Sequence, residues 1–237
     1  MCWNVAATAT MVVAGAAATA LSIRRGDRAA IPFTLAYFTA MEVLQLAGYA
    51  VIDRCGAPAN QTVTLLSILH IAFQPLVINA FALELVPAPI RIRARWPVLG
   101  LAALASLVIL LQLYPFDWAG TCRPGDTLCG ERLCTVTGSW HLAWEVPFNG
   151  LLVPVEDWFG THWGFPSYML AVFALPLAYG AWRFALFHLA VGPLLAGQLS
   201  SSPNEIPAIW CLTSIGILLV VLSPALRQRL SWQARLA

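Results

Sequence analysis

Four short polar stripes interrupt an otherwise apolar chain, and their residue types are those of acid–base and metal chemistry. Glu42, Gln45 and Tyr49 stand at i, i+3 and i+7, and Ser67, His70 and Gln74 repeat that spacing; His141, Glu145 and Asn149 step by four, and Asn204 and Glu205 adjoin. On a helix each of the first three sets falls on one face. Imidazole nitrogen combined with carboxylate oxygen is a donor set that zinc or non-haem iron accepts. Glu42, His70, His141 and Glu145 are therefore the expected catalytic and metal-ligating residues, with Gln45, Gln74, Asn149 and Glu205 orienting them or binding a cofactor. A zinc ion there would polarise a carbonyl and acidify its bound water, leaving one glutamate as base. The same groups suit a proton relay without metal, and His70 with His141 could alternatively serve as axial ligands to a haem.

Each stripe also has a plainer reading. Glutamine and asparagine inside a membrane segment commonly form an interhelical hydrogen bond worth about 0.6 kcal/mol, which covers Gln45, Gln74, Asn79 and Asn149. Glu205 can act as a helix-start carboxylate favoured by the dipole. His162 and His188 read as wetted histidines near the ends of segments. Glu42 is harder to dismiss, because a bare carboxylate in mid-membrane costs about 2.5 kcal/mol or more and must be protonated, paired or faced by a polar cavity.

The elements that must position these groups follow from composition. Of 237 residues, 59% are hydrophobic and only 10% charged, too few for the surface of a soluble globule. Apolar runs near 3–23, 30–52, 63–86, 97–116, 165–182, 185–200 and 205–225 have the length of membrane crossings, and lipid admits only segments that satisfy their own backbone. Arginines 24, 25, 28, 91, 93, 95, 183, 227, 229 and 235 fall in one alternating set of connectors; only Arg54, Arg123 and Arg132 fall in the other. The positive-inside rule then exports the N-terminus and leaves the C-terminus cytoplasmic. The expected fold is all-α: one transmembrane domain over 1–237, a polytopic bundle of seven transmembrane helices. An extracytoplasmic cysteine-bearing loop and an interfacial or re-entrant helix occupy about 117–164. Glu145, Pro147, Asn149 and Pro154 argue against a further crossing there, and Trp140, Trp144, Trp158 and Trp163 suit the headgroup boundary. Gly192-Pro193 is the expected bend of the sixth segment.

All six cysteines (2, 55, 122, 129, 134 and 211) fall on the exported side, where an even number reads as up to three disulfides with fifteen possible pairings. Their spacing does not match a zinc ribbon. Asn60-Gln61-Thr62 matches the glycosylation triplet, a short and unspecific pattern, and no phosphate loop, HExxH or GxSxG is present. A charge of only +2, with no basic run among aromatics, excludes a nucleic-acid partner.

The blocks Met1-Cys2-Trp3, His70 to Pro75, Trp140 to Pro147 and Asn204 to Cys211 resemble a bacterial multi-pass family known only as a domain of unknown function, over most of the chain. That resemblance implies no activity. A looser likeness is to the alkaline ceramidase and receptor-like membrane hydrolases, whose zinc is held by three histidines and an aspartate; their Ser-x-x-x-His and His-x-x-x-His pairs are missing here. Three functions are thus expected in competition: a membrane hydrolase or oxidoreductase with an outward-facing site, acting on a lipid or amphiphilic small molecule; a transporter or ligand-binding sensor using the same polar cavity; and a haem-binding or accessory subunit of a respiratory complex. The expected setting is the bacterial inner membrane, and a homo-oligomer is compatible with it.

Overall fold

The computed structural model describes residues 4–161, 164–214, 220 and 222–231. Four helices are long and apolar enough to cross a membrane: α1 (Val5–Arg24), α2 (Ala30–Val51), α3 (Pro58–Ala82, prolonged by a tight turn over Leu83–Leu85) and α4 (Ala88–Gln112). Neighbours in sequence pack against one another, and α3, the most enclosed, lies at the centre. Several hydroxyls in these helices are satisfied at home, although Ser106 in α4 is buried with no partner among the described residues. Thr19, Thr34, Thr39, Ser67 and Thr10 each donate to the carbonyl four residues back, which keeps polar hydrogens out of hydrocarbon. The side chain of Asn4 caps the start of α1 by accepting from the Ala7 N–H at 3.1 Å.

The remaining helical legs are shorter among the described residues, and two of them are broken. α6 (Pro166–Met169) passes through a wider π turn over Leu170–Ala174 into α7 (Leu175–Ala178). α8 (Trp182–Leu189) does the same through Ala190–Leu194 into α9 (Leu195–Leu199), and Gly192 there has non-helical φ −94° and ψ −106°, the bend expected from Gly192-Pro193. α10 (Ile206–Thr213) and α11 (Pro224–Leu230) follow. Seven long spans were expected from composition; among the described residues four helices meet that length, two of the later legs being interrupted at Pro176 and at Gly192-Pro193, and part of the last leg lying outside the described residues.

The segment expected as an interfacial helix is instead an antiparallel hairpin, so the fold is mostly helical but not all-α. β1 (Cys134–Thr137) pairs with β2 (Leu142–Glu145), Cys134 opposite Glu145 and Thr137 opposite Leu142, and the short α5 (Val153–Phe159) follows. β-branched and aromatic residues in Thr135-Val136-Thr137 and Trp144 favour the pleated form, while Gly138 allows the turn. This hairpin is the centre of a cap over one end of the bundle. Asn60, in the first turn of α3, donates to the carbonyls of Val51 and Thr135 and accepts from the Thr135 N–H, so its amide is fully used and buried; it is no sugar acceptor. Asp53, with φ of 62°, accepts from the Thr137 N–H and hydroxyl. Disulfides Cys55–Cys134 and Cys122–Cys129 tie the cap further. Cys211 is a buried free thiol, and Cys2 lies outside the described residues.

The opposite end carries most of the arginines. Arg28 and Arg91 reach Glu84, Arg227 pairs with Asp27, and Arg183 donates to the carbonyl of Arg229, which draws the α1–α2 turn, the α3–α4 turn, α8 and α11 together. Arg95 lies over Trp96 and Arg183 over Trp182 at that end. At the cap end Tyr114, Trp118, Trp158 and Phe159 are exposed, as aromatic anchors at a headgroup boundary would be. Trp144 is instead fully buried in the cap.

Candidate functional site

Two buried polar assemblies meet beneath the cap. In the first, Glu205, just ahead of α10, is fully enclosed and accepts five hydrogen bonds: from the Ser200 hydroxyl at 2.5 Å, the Ser139 hydroxyl at 2.8 Å, the Ser139 N–H at 3.3 Å, the Trp140 N–H at 2.6 Å and the His141 N–H. Gly138 makes the approach possible, since a Cβ there would stand 2.6 Å from Glu205 Oε1. Burial pushes the Glu205 carboxyl up, but the bonds from Ser200, His141, Ser139 and Trp140 outweigh it and hold the group below the usual carboxylate range. The residue expected as a helix-start carboxylate or cofactor contact is thus the anchor of the hairpin turn.

His141 sits in that turn, fully buried. Its Nε2 lies 2.8 Å from Gln45 Oε1 and its Nδ1 lies 2.6 Å from the Tyr49 hydroxyl. Gln45 Nε2 donates to the Ala208 carbonyl at 3.0 Å, which turns its oxygen toward the imidazole. The ring therefore carries its proton on Nε2 and accepts from Tyr49 at Nδ1, a neutral tautomer assigned from the network. Burial pushes the His141 pKa down to about 4, against the opposing charge of Glu205. With both nitrogens engaged, His141 has no lone pair left for zinc or for a haem iron.

The other expected ligands lie elsewhere. Glu145, four residues on, is at the end of β2 and half-buried against Gly130, because a strand and turn replace the helix that would have aligned it with His141. His70 Nε2 donates to the Tyr37 carbonyl at 2.8 Å while the Tyr37 hydroxyl donates to the His70 carbonyl at 2.6 Å, with the rings stacked at 3.8 Å. Glu42 is 2% exposed, and neither of its oxygens has a partner among the described residues. No group of three or more His, Cys, Asp or Glu among the described residues is placed to hold a metal ion. Asn149, expected near a cofactor, donates to the carbonyls of Leu111 and Tyr114 and accepts from the Leu151 N–H, fastening the cap to the end of α4. His188, expected to be wetted, is fully buried and accepts from the Trp210 indole N–H at 3.1 Å; His162 lies outside the described residues.

The second assembly forms the floor of a cavity of about 310 Å³ between α3, α6, the Pro193 turn, α10 and the cap residues Thr127 and Leu128. Gln74 joins the floor together. Its Oε1 accepts from the Tyr168 hydroxyl at 2.6 Å, and its Nε2 donates to Cys211 Sγ at 3.3 Å. Ile71, Phe165, Met169, Ile206, Pro207 and Trp210 supply apolar walls, and among the described residues no Asp, Glu, Lys, Arg or His lines the space. The π turns begin beside Met169 and contain Pro193, so both irregularities of the short legs border the cavity. Tyr168 and the free Cys211 were missed in sequence: a lone tyrosine in an apolar leg carries no stripe, and Cys211 is grouped there with the bridging cysteines.

Fold and site together define a mostly helical protein with four helices long and apolar enough to cross a membrane, a capped end and an apolar cavity that has a small polar floor. The chain belongs to the family described as "Family of unknown function (DUF5765)", whose model matches residues 6–231. No curated protein and no solved structure matches it.

Proposed function

We propose that the protein is a ligand-binding membrane protein, a sensor or carrier, that takes a small lipophilic molecule into the cavity over Gln74, Tyr168 and Cys211. It crosses the cytoplasmic membrane seven times, amino end exported. The gathering of arginines at one end, the disulfides at the other and the aromatic residues at both rims support that topology. The leg through α6 and α7 crosses packed against α3 and α4, the leg through α8 and α9 crosses packed against α10, and α10, which rests on α2, begins the last crossing; irregular backbone at membrane depth is tolerated beside protein or a cavity.

One observation carries the reading: a cavity of about 310 Å³, almost wholly apolar, with Gln74, Tyr168 and Cys211 buried together at its floor and Thr127 of the cap half-buried at its edge. That is the composition of a small-molecule site, with apolar walls for affinity and a few fixed polar atoms for orientation. The expected alternative, a metal-dependent enzyme at Glu42, His70, His141 and Glu145, lacks such a converging geometry. The test is solvent extraction of protein purified in mild detergent, followed by mass spectrometry. A small lipophile should accompany the wild type in near-stoichiometric amount and be lost from Ile71→Trp, which fills the cavity. Equal extracts from both proteins would sink the reading.

A further inference from the structure

The cavity described above selects among ligands by the state of the few polar atoms it offers. Gln74 uses its oxygen on Tyr168 and one amide hydrogen on Cys211; its second N–H has no partner among the described residues. The Tyr168 hydroxyl spends its hydrogen on Gln74, which leaves its oxygen able to accept. The floor thus presents one open donor beside one open acceptor, and no charged side chain among the described residues lines the walls. A single ligand hydroxyl answers both, accepting from the Gln74 amide and donating to the Tyr168 oxygen. A carbonyl or ether would answer only the first. An ionised headgroup would be desolvated with no counter-charge, a penalty that excludes carboxylates and ammonium groups.

The walls also indicate the route of entry. Gln74, Ile71, Tyr168 and Cys211 are buried, whereas Met169, Pro193 and Trp210 are only half-buried. Immediately beside them Leu170 (63% exposed), Leu194 (57%) and Leu195 (42%) present bare apolar side chains. An opening between α6 and the Pro193 turn that is rimmed by exposed leucines faces hydrocarbon, not water. Building on the proposed ligand-binding role, we infer that the ligand is a neutral lipophile bearing a hydroxyl headgroup, which enters sideways from the bilayer and docks that hydroxyl between Gln74 and Tyr168.

The thiol of Cys211 on the floor reports occupancy. Full-length protein carrying Cys2→Ser, in lipid nanodiscs, is treated with methyl methanethiosulfonate, a small uncharged thiol reagent. Modification is followed by intact-protein mass spectrometry with n-dodecanol, dodecane or dodecanoate present. Dodecanol should slow modification about tenfold more than dodecane, the value of one hydrogen bond made in a dry site, and dodecanoate should protect least. Gln74→Leu should erase the difference between dodecanol and dodecane, each rate being taken relative to that variant's own rate without probe because Gln74 donates to the Cys211 thiol. Equal protection by dodecanol and dodecane would overturn the hydroxyl assignment and leave the binding role standing. Stronger protection by dodecanoate would overturn neutrality in the same way. Absence of protection by every probe, with the thiol still reactive, would sink the binding role itself. A thiol that never reacts in the bare protein would overturn entry from the bilayer.

Discussion

The cap and the cavity floor are built from the same kinds of side chain but are satisfied to different degrees. Around Glu205 and His141 nearly every donor meets an acceptor: five bonds converge on one carboxylate, and both imidazole nitrogens are engaged. At the floor, Gln74 and Tyr168 satisfy each other only in part and leave one donor and one acceptor beside the cavity without a partner among the described residues. A closed network in a low-dielectric interior fixes geometry, because breaking any member strands a partner. An open one carries the cost of incomplete hydrogen bonding until a ligand supplies the missing groups. The closed network holds the cap, whereas recognition is the role proposed for the floor, although His141 and Glu205, which first attract attention, are in the cap.

The sharpest way to break this comparison is Glu205→Ala. It strands five donors, and we expect a loss on the order of 5 kcal/mol, read as a large fall in thermal midpoint in detergent and rapid proteolysis within 117–161. A mild effect would show that the cap is not held from this residue. Next come the bridges. Opening Cys55–Cys134, which closes a separation of 79 residues, should cost about 4 kcal/mol on chain-entropy grounds, and opening Cys122–Cys129, separated by 7, about 2 kcal/mol. Cys55→Ser and Cys122→Ser unfolding curves measure the ratio, and a reversed order would mean that the small loop, not the hairpin tether, holds the cap.

Acid should act on the cap and spare the floor. The unfolded His141 side chain takes a proton below about 6.5, whereas the folded one resists until about 4, so the unfolded state binds more protons between those values. Stability therefore falls as pH drops through 6.5, by on the order of 3 kcal/mol when the fall is complete near 4. Glu205, whose carboxyl is held below its ordinary 4.5, adds a second loss as pH falls beneath that value. His141→Gln should flatten the upper part of this profile in pH-dependent melting; an unchanged profile would place the responsible group elsewhere. The smallest effect belongs to the floor. Tyr168→Phe removes one hydrogen bond to Gln74 and should cost about 1 kcal/mol of stability, while altering ligand selectivity far more than the melting temperature.

Much of this was legible along the chain, and the parts that were not share a cause. Helix length and hydropathy mark α1 to α4 directly, since a crossing helix is a local object with a required length. Gly192-Pro193 marks its bend for the same reason. The stretch 139–155 misled because His141, Glu145 and Asn149 keep helical spacing, while Asn60, Asp53, Cys55 and Glu205 supply the bonds that make a hairpin there, and all four are remote in sequence. Gln45 and Gln74 were visible as polar residues on membrane helices, yet spacing alone gives them equal standing.

What the sequence determined by itself was a chain destined for lipid, with its arginines sorted to one set of turns and its cysteines to the other, because hydropathy and charge act residue by residue. The tertiary structure alone decided which polar groups are consumed and which remain open. A hydrogen bond belongs to two atoms, and for His141 and Gln45, 96 residues apart, or Gln74 and Tyr168, 94 apart, only folding brings the second atom near the first.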